Sequence, residues 1–132
     1  MFAVATIVYM LTAEPTASLW DCGEFISAAH KLEVVHPPGA PLFLMIGRMF
    51  AWVATVVSDN PSNIAYALNV MSGVCTAFLV MFVCWSTIIL SKLAMVGRNN
   101  DPEAGGQTIA ILASGVVAAL ATTFATSVWF SA

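Results

Sequence analysis

The sequence contains the stretch Trp20-Asp21-Cys22-Gly23-Glu24-Phe25-Ile26 and, a few residues later, His36-Pro37-Pro38-Gly39-Ala40-Pro41-Leu42. Together they hold two of the seven acidic residues and one of the two histidines in a chain with only 8% charged residues. Ionisable groups near a membrane cost free energy unless they pair or take part in function. Because the surrounding sequence is mostly apolar, we expect it to hold this polar loop at a bilayer surface.

The composition of the chain indicates an integral membrane protein. Its 132 residues are 60% hydrophobic, and their mean hydropathy is +0.90. Soluble domains carry about 25% charged residues, so this chain cannot cover a water-facing surface with charge. The net charge of −3, with no adjacent basic residues, argues against a nucleic-acid partner. The cysteines Cys22, Cys75 and Cys84 have no spacing typical of a zinc site or a disulfide framework.

Apolar runs and polar breaks predict an all-α polytopic fold with about three transmembrane helices and two juxtamembrane helices. We expect the segments in this order: part of transmembrane helix 1 over 1–13, an extracytoplasmic loop with the juxtamembrane helices over 14–63, transmembrane helix 2 over 64–96, a cytoplasmic linker over 97–106 and transmembrane helix 3 over 107–130. The first apolar run is shorter than the roughly 20 residues of a span. The chain is therefore expected to be an N-terminal piece of a longer protein.

Three basic residues predict on which side of the membrane the loops lie. Lys92 near the end of transmembrane helix 2 and Arg98 in the linker are the basic residues between the last two spans, and the positive-inside rule places that linker in the cytoplasm. Arg48 lies within the apolar run 42–57, where it would cost about 2.5–3.5 kcal/mol at a bilayer centre. We therefore expect this helix to lie along the outer membrane face. The acidic loop is then extracytoplasmic, and a bacterial inner membrane is the expected location.

Two local patterns predict helix ends and helix contacts. Ser18-Leu19-Trp20-Asp21 has the form of a capping box that opens an amphipathic helix over 21–31, with Trp20 as an interface anchor. In the last apolar run, small residues recur at every fourth position and predict close packing against another helix. This stripe consists of Gly106, Ala110, Ser114, Ala118, Thr122 and Thr126.

The acids of the loop suggest a chemistry, although the spacing leaves other interpretations open. Asp21 or Glu24 could take the proton of an acceptor hydroxyl that attacks a sugar carbon, while His36, Lys31 or Arg48 stabilises a phosphate leaving group. Alternatively, Asp21 is a capping acid, Glu24 pairs with Lys31, and His36 hydrogen-bonds the turn. The two carboxylates could also hold a divalent metal with waters, but two ligands are too few to assert a metal site or any other cofactor.

The order of the motifs resembles the first extracytoplasmic loop of GT-C-type membrane glycosyltransferases. More specifically, it resembles a family long labelled as of unknown function and related to protein O-mannosyltransferases. The resemblance rests on Trp-Asp-Cys-Gly-Glu combined with His-Pro-Pro-Gly. Further matches extend along most of the chain, at Glu14-Pro15-Thr16, Gly47-Arg48, Asn69 and Trp129-Phe130-Ser131-Ala132.

This resemblance implies transfer of a sugar, with mannose expected, from a polyprenyl-phosphate donor to a hydroxyl on a secreted protein at the extracytoplasmic face. It implies that Asp21 is the catalytic base, that Glu24 is a supporting acid or acceptor contact, and that His36 belongs to the wall of the donor site. Family members have many more spans, so a piece of this size is expected to be inactive alone. The alternative function is a non-catalytic transporter or flippase-like protein that binds a lipid-linked sugar.

Overall fold

The chain is helical throughout the part described by its computed structural model, which comprises residues 1–16, 21–36, 40–57, 60–98 and 105–129. Six α-helices follow one another in these ranges. They are α1 (Phe2–Thr12), α2 (Cys22–Lys31), α3 (Pro41–Val57), α4 (Pro61–Met95), α5 (Gly105–Thr123) and α6 (Thr126–Trp129). The all-α membrane class expected from the sequence is thereby confirmed, and the predicted ends of the first apolar run and of the run at 42–57 are accurate to one residue.

Two of these helices are long and apolar enough to cross a membrane. They are α4, with 35 residues, and α5, with 19 residues. The helices α1 and α3 are apolar but shorter. The chain divides into two compact units, one formed by Met1–Tyr9 with Val74–Ala132 and the other by Met10–Gly73. The continuous helix α4 contributes its N-terminal part to the second unit and the remainder to the first.

The first unit packs the start of α1 with parts of α4 and α5 around small side chains. Its core contains Ala5, Tyr9, Ala77, Val80 and Ala119, all of them buried. Small residues let helix backbones approach closely, which matters in lipid because burial from water cannot drive such contacts.

The contact face of α5 differs from the predicted stripe by one position. The buried residues of α5 are Ile111, Gly115, Ala119 and Thr123, whereas Gly106 and Ala110 are exposed. A Cβ added at Gly115 would lie 2.9 Å from the backbone oxygen of Cys84 and would overlap Ile88. The predicted stripe was therefore wrong in register, because Gly115 allows the closest approach of α4. Ser114 still contributes at its edge, with its Oγ 2.8 Å from that of Ser91.

The last apolar run is not the single helix expected up to Phe130, because α5 ends at Thr123. The hydroxyl of Tyr9 donates a hydrogen bond to the carbonyl of Thr123 over 3.1 Å. In a continuing helix that carbonyl would accept from the backbone four residues further on. The side chain of Thr123 also donates to the carbonyl of Ala119, a type of bond that can bend helices. Phe130 itself lies outside the described residues.

The second unit is built from α2, α3 and the start of α4. Its core contains the residues Ala28, Ala29, Val35, Leu44, Ala51, Ala54, Ile64 and Leu68. The helices α2 and α3 meet at Gly47, where an added Cβ would lie 3.0 Å from the Cβ of Ala29. The small residues at this contact hold α2, which carries Glu24, firmly against α3.

The start of α2 corrects one expectation. The helix begins at Cys22, and Asp21 precedes it with φ −79° and ψ 5° and makes no side-chain capping hydrogen bond. In the predicted capping box Asp21 would be the third helical residue, but it precedes the first residue of α2, so it is not the capping-box acid of this helix. At the other end, Leu32 adopts a left-handed conformation with φ 57°. It therefore leaves the helix and is exposed.

Candidate functional site

An apolar cleft in the second unit brings α2, α3 and α4 together around the first acid. The cleft has a volume of about 420 Å³. It is lined by Asp21, Cys22, Phe25, Ile26, Phe43, Leu68, Asn69 and Ser72. Mostly apolar walls with a few polar groups at fixed positions are typical of ligand sites.

Asp21 is the acid that faces this cleft. Its residue is exposed, and its backbone carbonyl accepts the hydrogen bond from the N–H of Phe25 that starts α2. Its side chain makes no capping hydrogen bond to α2. This arrangement leaves Asp21 available for chemistry at the edge of the cleft.

Glu24 and His36 form a pair, which differs from each of the structural alternatives considered from the sequence. The carboxylate of Glu24 accepts a hydrogen bond from the backbone N–H of His36 through Oε1, and its Oε2 lies 2.9 Å from Nδ1 of His36. Glu24 therefore does not pair with Lys31, which would be two helical turns away. Phe25 completes the contact, with its ring edge-on to His36 at 6.1 Å and to Phe43 at 5.6 Å. The pair fastens the start of the His-Pro-Pro-Gly segment onto α2.

The pairing changes the pKa of both groups. The hydrogen bond from the backbone N–H of His36 lowers the pKa of Glu24, and the bond to the imidazole lowers it further. The hydrogen bond to Glu24 raises the pKa of His36 above its ordinary value of 6.5, with a smaller contribution from the charge of Asp21. Both side chains are about half exposed, so solvent screens the pair.

This pair gives a pH-dependent prediction. The lowered pKa of Glu24 stabilises the contact above its ordinary value of 4.5, and the raised pKa of His36 stabilises it below 6.5. The contact is therefore strongest between these values. It weakens as the pH falls through the lowered pKa of Glu24 or rises through the raised pKa of His36. In an NMR titration of the full-length protein we expect His36 to titrate above 6.5 and Glu24→Gln to lower that midpoint. An unchanged midpoint in Glu24→Gln would contradict the pairing.

The predicted donor-site residues His36, Arg48 and Lys31 all lie outside the cleft lining, as does Glu24. Arg48 donates from Nη1 to the backbone oxygen of His30 in the last turn of α2 and lies 3.4 Å from its Nδ1. A cation is favourable at a helix C-terminus, so Arg48 stabilises the packing of α3 against α2. Lys31 is exposed and lies 3.9 Å from Glu33.

Sequence reasoning did not assign Asn69 to the site, although it noted the residue. Asn69 lines the cleft from α4, and its Nδ2 donates to the carbonyl oxygens of Glu14 at 2.7 Å and Thr16 at 3.2 Å. A polar amide within an otherwise apolar helix was the available signal. Ser72, one turn later, was missed as well.

Three features predicted from the sequence lie outside the described residues. They are the interface anchor Trp20, the Pro37-Pro38-Gly39 turn and the expected helix cap Ser18. Among the described residues, no group of three His, Cys, Asp or Glu side chains could hold a metal ion.

Known proteins are similar to this chain over the region that carries the motifs. Residues 21–132 match the family model described as the protein O-mannosyl-transferase TMEM260 N-terminal domain. The chain is 34% identical over 83 residues to the protein O-mannosyl-transferase tmem260 of Dictyostelium discoideum, covering 63% of this chain and 10% of that protein. It is 32% identical over 116 residues to the protein O-mannosyl-transferase TMEM260 of Mus musculus, covering 88% of this chain and 14% of that protein.

The matched stretch thus spans about a tenth to a seventh of the curated relatives. No solved structure is significantly similar to this chain. The family match begins at Asp21 and includes the paired Glu24 and His36 as well as the cleft. The chain belongs to the family of the protein O-mannosyl-transferase TMEM260 N-terminal domain.

Proposed function

We propose that this chain is the part of a protein O-mannosyltransferase that supplies the catalytic base, Asp21. The observation that carries the proposal is the position of Asp21 at an apolar cleft, with its carboxylate not engaged in capping α2. The names of the relatives support transfer of a sugar to a protein. We further propose that the donor is a mannosyl unit carried by polyprenyl phosphate and that the acceptor is a hydroxyl of a secreted protein.

The proposed step is a displacement at the anomeric carbon of the donor sugar. The acceptor oxygen forms a bond to that carbon while the bond from the carbon to the phosphate oxygen breaks, and the phosphate leaves with the electron pair. Asp21 takes the proton of the acceptor hydroxyl as it attacks. The cleft beside Asp21 can position the acceptor and the sugar carbon next to the carboxylate.

The remaining site residues have supporting roles in this proposal. Glu24 assists as the second acid by holding His36, and His36 contributes to the wall of the donor site. His36, Arg48 and Lys31 all lie outside the cleft lining. Donor contacts by any of them therefore require a substrate that extends beyond the cleft, and these contacts stay predictions of the sequence.

A transfer assay with the full-length protein tests the proposal. Labelled sugar on a polyprenyl-phosphate donor is incubated with a peptide that carries hydroxyl groups. We expect label on the peptide. Binding of the donor without transfer would instead indicate the transporter or flippase-like alternative.

The proposed face of action is extracytoplasmic, with α3 lying on the membrane surface. An exposed apolar face of α3 supports this arrangement; it comprises Leu42, Met45, Met49, Trp52, Val53 and Val56. Arg48 donates to the backbone oxygen of His30, but this bond leaves its charge unneutralised, so the cost of that charge at a bilayer centre still favours a surface position for α3. The bacterial inner membrane stays a prediction from the sequence alone.

Impermeant labelling of single cysteines in the full-length protein tests the topology. We expect Val34→Cys, whose parent residue is 92% exposed, and Asn99→Cys to react from opposite sides of the membrane. A cysteine at Ala28, in the same loop, would react poorly with the label because that position is only 3% exposed. Reaction of both cysteines from the same side would mean that α3 crosses the bilayer.

A further inference from the structure

We propose that Asn69 is a positioning residue that ties residues 14–16 to α4 and thereby restricts where the chain can place Asp21 at the cleft. The inference rests on the proposed role of Asp21 as the base. It starts from two hydrogen bonds that join residues more than fifty positions apart, from Nδ2 of Asn69 to the carbonyl oxygens of Glu14 and Thr16.

These two bonds use both N–H groups of the Asn69 amide. Glu14 and Thr16 belong to the irregular segment that follows α1, and such a segment has no helix ladder to satisfy its carbonyls. Asn69 supplies the donors that the segment needs. The same contact fixes the amide orientation, because a flipped Asn69 would place its own oxygen against two carbonyl oxygens.

Asp21 is therefore held from two sides. On its C-terminal side, α2 packs on α3 through Ala29 and Gly47. On its N-terminal side, the chain is tied to α4 at Thr16 by Asn69. Asn69 lines the same cleft as Asp21. The residue that ties residues 14–16 to α4 is therefore also part of the cleft wall.

Loss of the two bonds would let the segment before Asp21 move, while the packing of α2 on α3 would remain. A displacement of about 1 Å at a reacting group can cost about 100-fold in rate. The effect should fall mainly on kcat, because Asn69 positions the base; since Asn69 also lines the cleft, the comparison with Asp21→Asn separates this role from a substrate contact.

The test is a set of variants of the full-length protein assayed for mannosyl transfer. Asn69→Leu keeps the approximate size and removes both donors, and we expect kcat to fall about 10–100-fold with KM unchanged. Asn69→Gln keeps the donors on a longer side chain and should recover part of that loss. Asn63→Leu is the matched control, because Asn63 is an exposed residue on the same helix outside the cleft lining. It should behave as the parent protein.

A double-mutant cycle separates this inference from the proposed function. In the Asp21→Asn background, Asn69→Leu should lower the remaining rate by about twofold or less, because the group that it positions is already lost. A full further loss in that background, or an increase in KM at unchanged kcat, would overturn the positioning role. If Asp21→Asn alone transfers at the parent rate, the proposed function fails. If Asp21→Asn is inactive but Asn69→Leu is not, only the present inference fails.

Discussion

Replacement of Asp21 by asparagine is expected to lower sugar transfer by the full-length protein by about 10²–10⁴-fold, as loss of a general base typically does. Asparagine preserves the size of the side chain but cannot take a proton at neutral pH. Folding should be unaffected, because the Asp21 side chain makes no capping hydrogen bond to α2. Transfer of labelled sugar and thermal stability in detergent measure the two effects separately.

Two further acid variants complete this experiment. Glu33→Gln is the matched control, because Glu33 is an exposed acid that lies 3.9 Å from Lys31 and away from the cleft. It should transfer at the parent rate. Glu24→Gln examines whether the second acid is the base instead. A stable Asp21→Asn variant with close to parent activity, combined with an inactive Glu24→Gln, would move the base role to Glu24.

The second large effect is expected for stability. Gly115→Ala should lower the free energy of unfolding by about 1–3 kcal/mol, the usual cost of overpacking a close contact. The added methyl would lie 2.9 Å from the backbone oxygen of Cys84 and overlap the side chain of Ile88. A side chain can turn away, but the backbone of α4 cannot move without disturbing its own hydrogen bonds. The midpoint of thermal inactivation measures the change.

Gly106→Ala provides the matched control within α5. A Cβ at Gly106 would have no atom within 4 Å, and alanine favours helix more than glycine does. This variant should be as stable as the parent or slightly more stable. Equal stability of Gly115→Ala and Gly106→Ala would contradict the close contact of α4 and α5.

Local patterns were enough to predict most helices. The apolar run 42–57 and the prolines before and after it predict α3. Its observed start at Pro41 agrees with the preference of proline for the first helical turn. The long apolar run likewise predicts α4. The family motifs directed attention to Asp21, Glu24 and His36 before any contact was known, and the structure brings the last two together.

Features that depend on distant partners could not be predicted in this way. The end of α5 depends on the hydroxyl of Tyr9, which is 114 positions away from Thr123 in sequence. Two adjacent rows of small residues on α5, one with Ser114 and Ala118 and one with Gly115 and Ala119, could have formed the contact face. The row with Gly115 is buried because it allows the close approach of the α4 backbone. A mid-helix glycine, Gly115, was the available signal, since such a glycine often marks a close approach. The pairing of Glu24 with His36 required knowing how residues 32–36 turn back after Leu32.

The length of α4 has a consequence for where the substrate can react. Its 35 residues extend about 52 Å at 1.5 Å per residue, whereas the hydrocarbon core of a bilayer is about 30 Å thick. In the proposed topology, with Lys92 at the cytoplasmic edge and α4 along the bilayer normal, about 20 residues would fill the core, and the helix would emerge near Gly73. Leu68 and Ser72 then stand about 2–8 Å beyond the hydrocarbon, which is the depth of lipid headgroups. A lipid-linked donor would thus keep its tail in the bilayer and present its phosphate and sugar at the level of the cleft.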